Sequence, residues 1–179
     1  MSTSELMELA SDIDALCRLR GEFVLRSGQV ATEYFDKYLF ESDPALLRRV
    51  VTQMVPLIPE ETELLGGLEL GGVPLATMLS SVTGLPTLFV RKEAKPYGTR
   101  RLAEGANPRG RVVLLVEDVI TTGGAVRNGA LALRDEGATV SGVVCAIDRS
   151  DPDAQPLRRG ELDVYAVMTK DILDSVTAI

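Results

Sequence analysis

The sequence predicts an α/β protein built on a twisted, mainly parallel sheet flanked by helices. From residue 63 onward, short runs rich in Val, Leu and Ile alternate with segments of helical period, the pattern of βαβ units. The palette agrees: 45% of residues are hydrophobic but only 4% aromatic, with no tryptophan, so the interior is aliphatic. Strands buried on both faces of a parallel sheet need such near-continuous aliphatic runs. At 179 residues the chain fits a single domain, 1–179, with a core that needs no disulfide or metal.

The elements follow in order. Leu6, Leu9, Ile13, Leu16 and Leu19 recur at helical spacing, with Ser4 as a cap. Glu22 to Arg26 and Thr32 to Asp36 then read as short strands around the turn-prone Ser27-Gly28-Gln29. Pro44, after Asp43, opens a helix through Leu46, Leu47, Val50, Val51 and Met54 that Pro56 stops. A strand over Glu63 to Gly67 precedes a helix from Val73, and Pro86 introduces a strand over Thr87 to Arg91. Lys92 to Arg109 combines Pro, Gly and many charges with little apolar content, which predicts a long exposed loop, and loops of that length are commonly functional. Arg111 to Val116, Gly124 to Glu136 and Thr139 to Ile147 complete the pattern as strand, helix and strand.

Composition excludes several classes of function. A net charge of -7 and a pI of about 4.7 argue against broad electrostatic capture of nucleic acid or an anionic membrane. Charges, Gly and Pro interrupt every apolar run before membrane-spanning length, and the N-terminus lacks a secretory pattern, so a cytoplasmic protein is expected. Cys17 and Cys145 lack the spacing of a zinc or redox pair and are expected to be buried free thiols. Histidine is absent, which removes Ser-His-Asp and Cys-His triads and HExxH zinc sites. Chemistry must use carboxylates, Lys, Tyr or a bound cation.

The informative run is Val112 to Ala125: an aliphatic strand reaching Glu117 and Asp118, then Val119, Ile120, Thr121, Thr122, Gly123, Gly124 and Ala125 leading into a helix. Ligands of open α/β sheets gather at the carboxyl ends of strands, where the two acids can accept hydrogen bonds from ribose hydroxyls. The following turn offers backbone N–H groups at a helix start, a seat for phosphate without local Lys or Arg. An ordinary capped β-turn-α connection could use the same Thr and Gly residues, but it does not need two adjacent acids. Neither a Walker loop nor a dinucleotide fingerprint occurs anywhere in the chain.

The Val112 to Ala125 run resembles the phosphoribosyl pyrophosphate signature of the type I phosphoribosyltransferases. Other segments resemble the orotate phosphoribosyltransferases. Phe23-Val24-Leu25-Arg26-Ser27-Gly28 with Tyr34-Phe35-Asp36 is similar to their orotate-site motif, with Arg26 in place of the usual lysine. Arg91-Lys92-Glu93-Ala94-Lys95 with Gly98 is similar to their mobile catalytic loop, and Ala146-Ile147-Asp148-Arg149 to the segment supplying a base-site arginine.

The resemblance implies the type I phosphoribosyltransferase fold, with a small N-terminal hood over roughly 1–40 and a mobile catalytic loop over about 92–109. It implies transfer of phosphoribosyl from 5-phosphoribosyl-1-pyrophosphate (PRPP) to orotate, giving orotidine 5'-monophosphate and pyrophosphate in pyrimidine biosynthesis. Lys95, Glu117 and Asp118 would be catalytic. PRPP would contact Arg91, Lys92, Lys95, Glu117, Asp118, Val119, Ile120, Thr121, Thr122, Gly123, Gly124 and Ala125, with Gly71 and Gly72 of the apparent pyrophosphate loop. Orotate would contact Arg26, Tyr34, Phe35, Thr121 and Arg149. Magnesium is the implied cofactor, held mainly by substrate oxygens rather than by protein ligands, and a homodimer with Lys95 acting in trans is the implied assembly.

The chain departs from its relatives in two places: Tyr97 stands where many have a loop histidine, and Gly71 where they often carry lysine. Arg100 and Arg101 either compensate for that missing cation or are solvated loop charges. A purine-type phosphoribosyltransferase and a non-catalytic nucleotide-sensing regulator on the same fold stay open as alternatives.

Overall fold

A computed structural model describes residues 2–24, 28–93, 102–151, 157 and 162–177. Helix α1 (Thr3–Cys17) begins on a capping box in which Ser2 and Glu5 satisfy each other's backbone N–H groups. The cap is therefore Ser2 and not Ser4, because only Ser2 has the acid three residues on that completes the reciprocal pair. Leu19 leaves the helix and joins β1 (Arg18–Val24), which pairs antiparallel with β2 (Val30–Phe35) as a two-stranded ribbon. Leu9, Ala10, Ile13 and Cys17 form the buried face of α1.

Arg18 fastens the root of the ribbon. Its guanidinium meets Asp14 at 2.7 Å and Glu33 and Asp174 at 3.4 Å each, while Thr177 donates to Asp14 at 2.9 Å. Those contacts tie α1 and both ribbon strands to the last helix. A short helix α2 (Tyr38–Ser42) follows, pinned by the fully buried Phe40, and then α3 (Pro44–Met54), whose N-terminus Asp43 caps. A 3-10 turn over Val55–Leu57 contains Pro56 and ends that segment as expected.

The main sheet contains β3 (Leu64–Leu68), β4 (Thr87–Val90), β5 (Ala103–Gly105), β6 (Val112–Ile120), β7 (Thr139–Asp148) and β8 (Asp163–Thr169), in the order β5-β4-β3-β6-β7-β8. All pairings are parallel except β4 with β5. Along β6, Leu114 and Val116 face a core made with α1, α3, α4 (Gly72–Thr83) and α6 (Lys170–Thr177). The alternate residues Val113 and Leu115 face a second core made with α5 (Gly124–Asp135). Period-two alternation of aliphatic residues thus supplies a core on each face.

The sheet differs from the sequence expectation at its edges. The exposed loop over Lys92 to Arg109 ends earlier, because Ala103–Gly105 pairs with β4 and buries Ala103. Pairing is a tertiary gain that three weakly apolar residues do not announce. β8 and α6 have no counterpart among the predicted elements. β8 is an edge strand with only Val167 and Met168 buried, so its alternation is faint.

Small residues bring α4 close to the sheet. A Cβ on Gly67 would stand 2.9 Å from both the Ala76 Cβ and the Gly72 carbonyl oxygen, and a Cβ on Gly72 would overlap the Val116 carbonyl oxygen. Glycine at both positions is what lets the first turn of α4 lie directly against β6.

Candidate active site

Strand β6 runs past the acid pair and stays hydrogen-bonded to β7 as far as Ile120, opposite Asp148. Both acids are therefore held in the sheet, and both are buried, Asp118 completely and Glu117 to 6% exposure. They differ in direction. Glu117 faces a cavity of about 410 Å3, whereas Asp118, its neighbour in the strand, points toward the start of α4. A Cβ on Gly71 would overlap the Asp118 carboxylate, and Glu41 Oε1 would lie 2.8 Å from that Cβ.

A lysine that sequence reasoning missed completes this cluster. Lys37 Nζ lies 2.6 Å from Asp118 Oδ2 and donates to Oδ1 at 2.9 Å, and it stands 5.4 Å from the centre of the Tyr38 ring. Burial alone would raise the Asp118 pKa, but hydrogen bonds with Glu117, Glu41 and Lys37 and the lysine's charge hold it below the usual value. The opposite happens to its neighbours. Burial first, then a hydrogen bond with Asp118 and repulsion from its charge, push Glu117 and Glu41 up to about 9 each. A contact between two carboxyl groups is a hydrogen bond only when one holds the proton. Taken as carboxylates, Glu117 Oε2 and Glu41 Oε1 have no hydrogen-bond partner among the described residues. In this cluster Lys37 favours the charged form of Asp118, while burial and the Asp118 charge push both neighbouring glutamates toward the protonated form.

The cavity continues along Val119, Ile120, Thr121, Thr122, Gly123, Gly124 and Ala125, so the whole predicted run beyond Asp118 lines it. Gly123 precedes α5 with φ of 68°, the left-handed conformation glycine adopts without cost, and no side chain caps the helix. The first amides of α5 are left for a ligand. At the far side Glu69 and Leu70 form the wall; they are joined by a cis peptide bond, and Glu69 Oε2 accepts from the Lys92 backbone N–H at 2.9 Å. Lys92 lines the cavity, while the Arg91 side chain turns to the Glu93 carbonyl at 3.3 Å. Gly71 and Gly72 are buried behind the wall.

The candidate orotate residues separate. The Arg149 guanidinium lies 5.2 Å over the Phe35 ring, joining the end of β7 to the ribbon, and Thr121 lines the adjoining cavity. Tyr34 points to the other face of the ribbon and packs on Phe23 with ring centroids 5.6 Å apart. Arg26, Lys95, Tyr97, Gly98, Arg100 and Arg101 lie outside the described residues. Among the described residues no cluster of three or more metal-ligating side chains occurs, and no helix is long and apolar enough to cross a membrane. Cys17 and Cys145 are free and buried, and burial pushes the Cys17 thiol up to about 11.

A mainly parallel sheet whose central strand carries an acid pair near its end and leads into a Thr/Gly turn defines a phosphoribosyl transferase domain, and that family matches residues 46–174. An orotate phosphoribosyltransferase of Nocardioides sp. is 65% identical over 167 residues, 93% of either chain. Orotate phosphoribosyltransferase of Mycobacterium tuberculosis with inorganic phosphate superposes with a TM-score of 0.83 at 28% identity, over 96% of this chain and 99% of that one. The same protein in complex with PRPP gives a TM-score of 0.80 at 28% identity, over 95% and 99%. The chain belongs to the orotate phosphoribosyltransferase family.

Proposed function

We infer that this chain catalyses transfer of phosphoribosyl from PRPP to orotate, releasing pyrophosphate. The observation that carries the reading is one cavity in which Glu117, the uncapped start of α5 and the Glu69–Leu70 wall meet. A sugar phosphate with a diphosphate at its other end needs those three surfaces: an acceptor for hydroxyls, amides for the 5'-phosphate and a second anion seat. The 65% identical relative supports orotate over a purine base as acceptor. A nucleotide-sensing regulator is disfavoured by the net charge of -7 and the close relative's enzymatic name.

In this reading Glu117 and Asp118 hold the ribose hydroxyls, and the Thr121 to Ala125 turn holds the phosphate. Arg149, kept in place by Phe35, faces the orotate carboxylate together with Arg26, since a planar guanidinium matches a carboxylate edge. Tyr34 serves by packing on Phe23 and holding the ribbon that carries Phe35. Ring nitrogen N1 attacks the anomeric carbon as the bond to pyrophosphate breaks. Lys95, Lys92 and Arg91 stabilise the negative charge that grows on the leaving group, and loop closure keeps water from an oxocarbenium-like centre. With Tyr97 replacing the loop histidine, the proton delivered to pyrophosphate comes from Lys95.

The residues present fit a magnesium ion held mainly by substrate: Glu69 and Glu117 face the cavity, and Glu117, taken as a carboxylate, has its buried Oε2 without a partner among the described residues. When bound, the ion neutralises diphosphate charge and orients the ribose hydroxyls. One domain over 1–179 with a hood over about 1–40, a homodimer with Lys95 acting in trans, and a cytoplasmic location belong to the same proposal, supported by the family resemblance.

The test is a single assay offering orotate, uracil, adenine, guanine and hypoxanthine with PRPP. Orotate absorbance should be consumed only with magnesium present, and the other bases should not react. Turnover of a purine in preference to orotate, or of none, overturns the assignment. Lys95→Ala should lower kcat by about a hundredfold or more while PRPP still binds.

A further inference from the structure

The described residues lining the cavity include two cations, Lys37 and Lys92. Lys92 is accounted for by its place at the start of the catalytic loop. Lys37 sits elsewhere in the chain, between the ribbon and α2, and no part of the reaction described above uses it. Its ammonium lies over a carboxylate that solvent does not reach: the Lys37 side chain is 32% exposed and that of Asp118 0%. The lysine is therefore the layer between the buried acid and the cavity. An ammonium has three N–H donors; a single carboxylate engages at most two in this geometry, so at least one remains for a ligand.

The adjoining wall fixes which part of a ligand that donor would meet. Position 71 in the loop before α4 is glycine and so carries no cation, and the Asp118 carboxylate fills the space where a side chain there would stand. The phosphate seat belongs to a different element, the uncapped start of α5, whereas Lys37 is bound to Asp118 beside Gly71. Lys37 thus supplies positive charge to the end of the cavity that otherwise presents Glu69 and the peptide backbone. It also occupies Asp118, the acid whose oxygens ribose hydroxyls would need.

We propose that Lys37 is a diphosphate-binding residue, stored on Asp118 in the free protein and passed to the diphosphate of PRPP when the ribose hydroxyls take over that carboxylate. No bond is made or broken; one set of hydrogen bonds replaces another. Three features support the exchange. The ion pair is short on both carboxylate oxygens, so it is formed in the absence of ligand. A lysine stem is flexible enough to move its ammonium while α2 stays anchored by the buried Phe40. The Tyr38 ring beside Nζ offers a surface along which the cation can shift.

This proposal rests on the reading that the cavity takes PRPP, and the experiment separates the two. Calorimetry with the full chain and magnesium would measure inorganic pyrophosphate, PRPP and ribose 5-phosphate against the wild type, Lys37→Met and Lys37→Gln. Loss of one charge-assisted contact should weaken pyrophosphate and PRPP by about tenfold or more and raise the KM for PRPP with a smaller change in kcat. Ribose 5-phosphate, which has the diol but no diphosphate, should bind the variants at least as tightly as the wild type, because the lysine no longer competes for Asp118. Lys37→Gln keeps an N–H donor for Asp118 and so preserves the fold if Lys37→Met does not.

Wild type that binds none of these ligands removes the cavity reading and this proposal with it. Wild type that binds PRPP, beside variants whose pyrophosphate affinity is unchanged, removes the role of Lys37 alone. Equal losses for ribose 5-phosphate and pyrophosphate would mean that Lys37 only maintains Asp118, and would also overturn the exchange.

Discussion

The two ends of the cavity are built on different principles. At the α5 end, Thr121 to Ala125 are consecutive residues with neutral side chains, and the proposed ligand seat consists of peptide amides around a left-handed glycine. At the α4 end, Lys37, Glu41, Glu69, Gly71, Lys92 and Asp118 come together from widely separated parts of the chain, and charge balance decides the geometry. The first end is set by backbone conformation and demands glycine at position 123, where a Cβ would stand 2.7 Å from Leu157. The second depends on each member of a cluster that has no slack.

Adding one carbon at the α4 end should have the greatest consequence. In Gly71→Ala the new methyl overlaps the Asp118 carboxylate, a side chain that can move, at the cost of its contacts with Lys37 and Glu41. Misplacement by about an ångström at such a site costs about a hundredfold in kcat/KM. In Gly72→Ala the methyl overlaps the Val116 carbonyl, part of a central strand that cannot give way. That variant should lose about 1–3 kcal/mol of stability through overpacking. For a chain of this size each kcal/mol is roughly 2–4 °C in Tm. Thermal melts and kinetics on the pair should therefore separate them: Gly71→Ala folded but nearly inactive, Gly72→Ala destabilised. Wild-type kinetics in Gly71→Ala would show that the loop and Asp118 are not packed as one unit.

A smaller effect concerns the protons stored at the α4 end. Glu41 and Glu117 titrate at about 9 in the folded chain, from an ordinary value of 4.5. Between those values the folded state holds protons that the unfolded chain has released, so stability falls as pH rises from 4.5 toward 9. Asp118 acts in the opposite sense: its pKa lies below 3.8, so its contribution is present above that value and is lost as pH falls through its lower folded pKa. Glu41→Gln replaces a protonated acid by an amide of the same shape that can donate to Asp118 and never ionises. Melted without ligand and with chelator, it should match the wild type near pH 5 and exceed it near pH 9 by several degrees, roughly 2–4 °C for each kcal/mol. Parallel Tm curves for the two proteins would remove Glu41 from the proton store.

The same contrast decides what could be read in the sequence. The α5 end is a contiguous motif, and strand, acids, turn and helix all stand in chain order, so Val112 to Ala125 was legible as one unit, the proposed sugar-phosphate seat. The βαβ alternation was legible for the same reason: aliphatic runs in β3, β4, β6 and β7 are local. Lys37 was not, because a lone lysine between Asp36 and Tyr38 has the look of any solvated charge. Its position follows from burial of Phe40 three residues on and from where β2 ends. Glu41 was hidden likewise, and Glu69, although part of the apparent pyrophosphate loop, gave no sign of its contact with Lys92, since only the fold makes these contacts. The pairing of β5 and the existence of β8 depend on neighbours in the sheet, which weak local patterns do not declare.

A change at the α5 end should be milder. Thr122 is exposed in the turn, and its carbonyl accepts from the Arg127 guanidinium at 3.2 Å, so its backbone is held independently of its hydroxyl. If the phosphate seat is made of amides, Thr122→Ala deletes one neutral hydrogen bond and leaves the rest of the cradle intact. The cost is then about 0.5–1.5 kcal/mol, a few-fold to roughly tenfold in affinity for ribose 5-phosphate, with Tm unchanged. Titration calorimetry resolves a change of that size. A loss of a hundredfold would mean that side chains, and not the peptide groups of α5, carry the phosphate, and the two ends of the cavity would then share one principle.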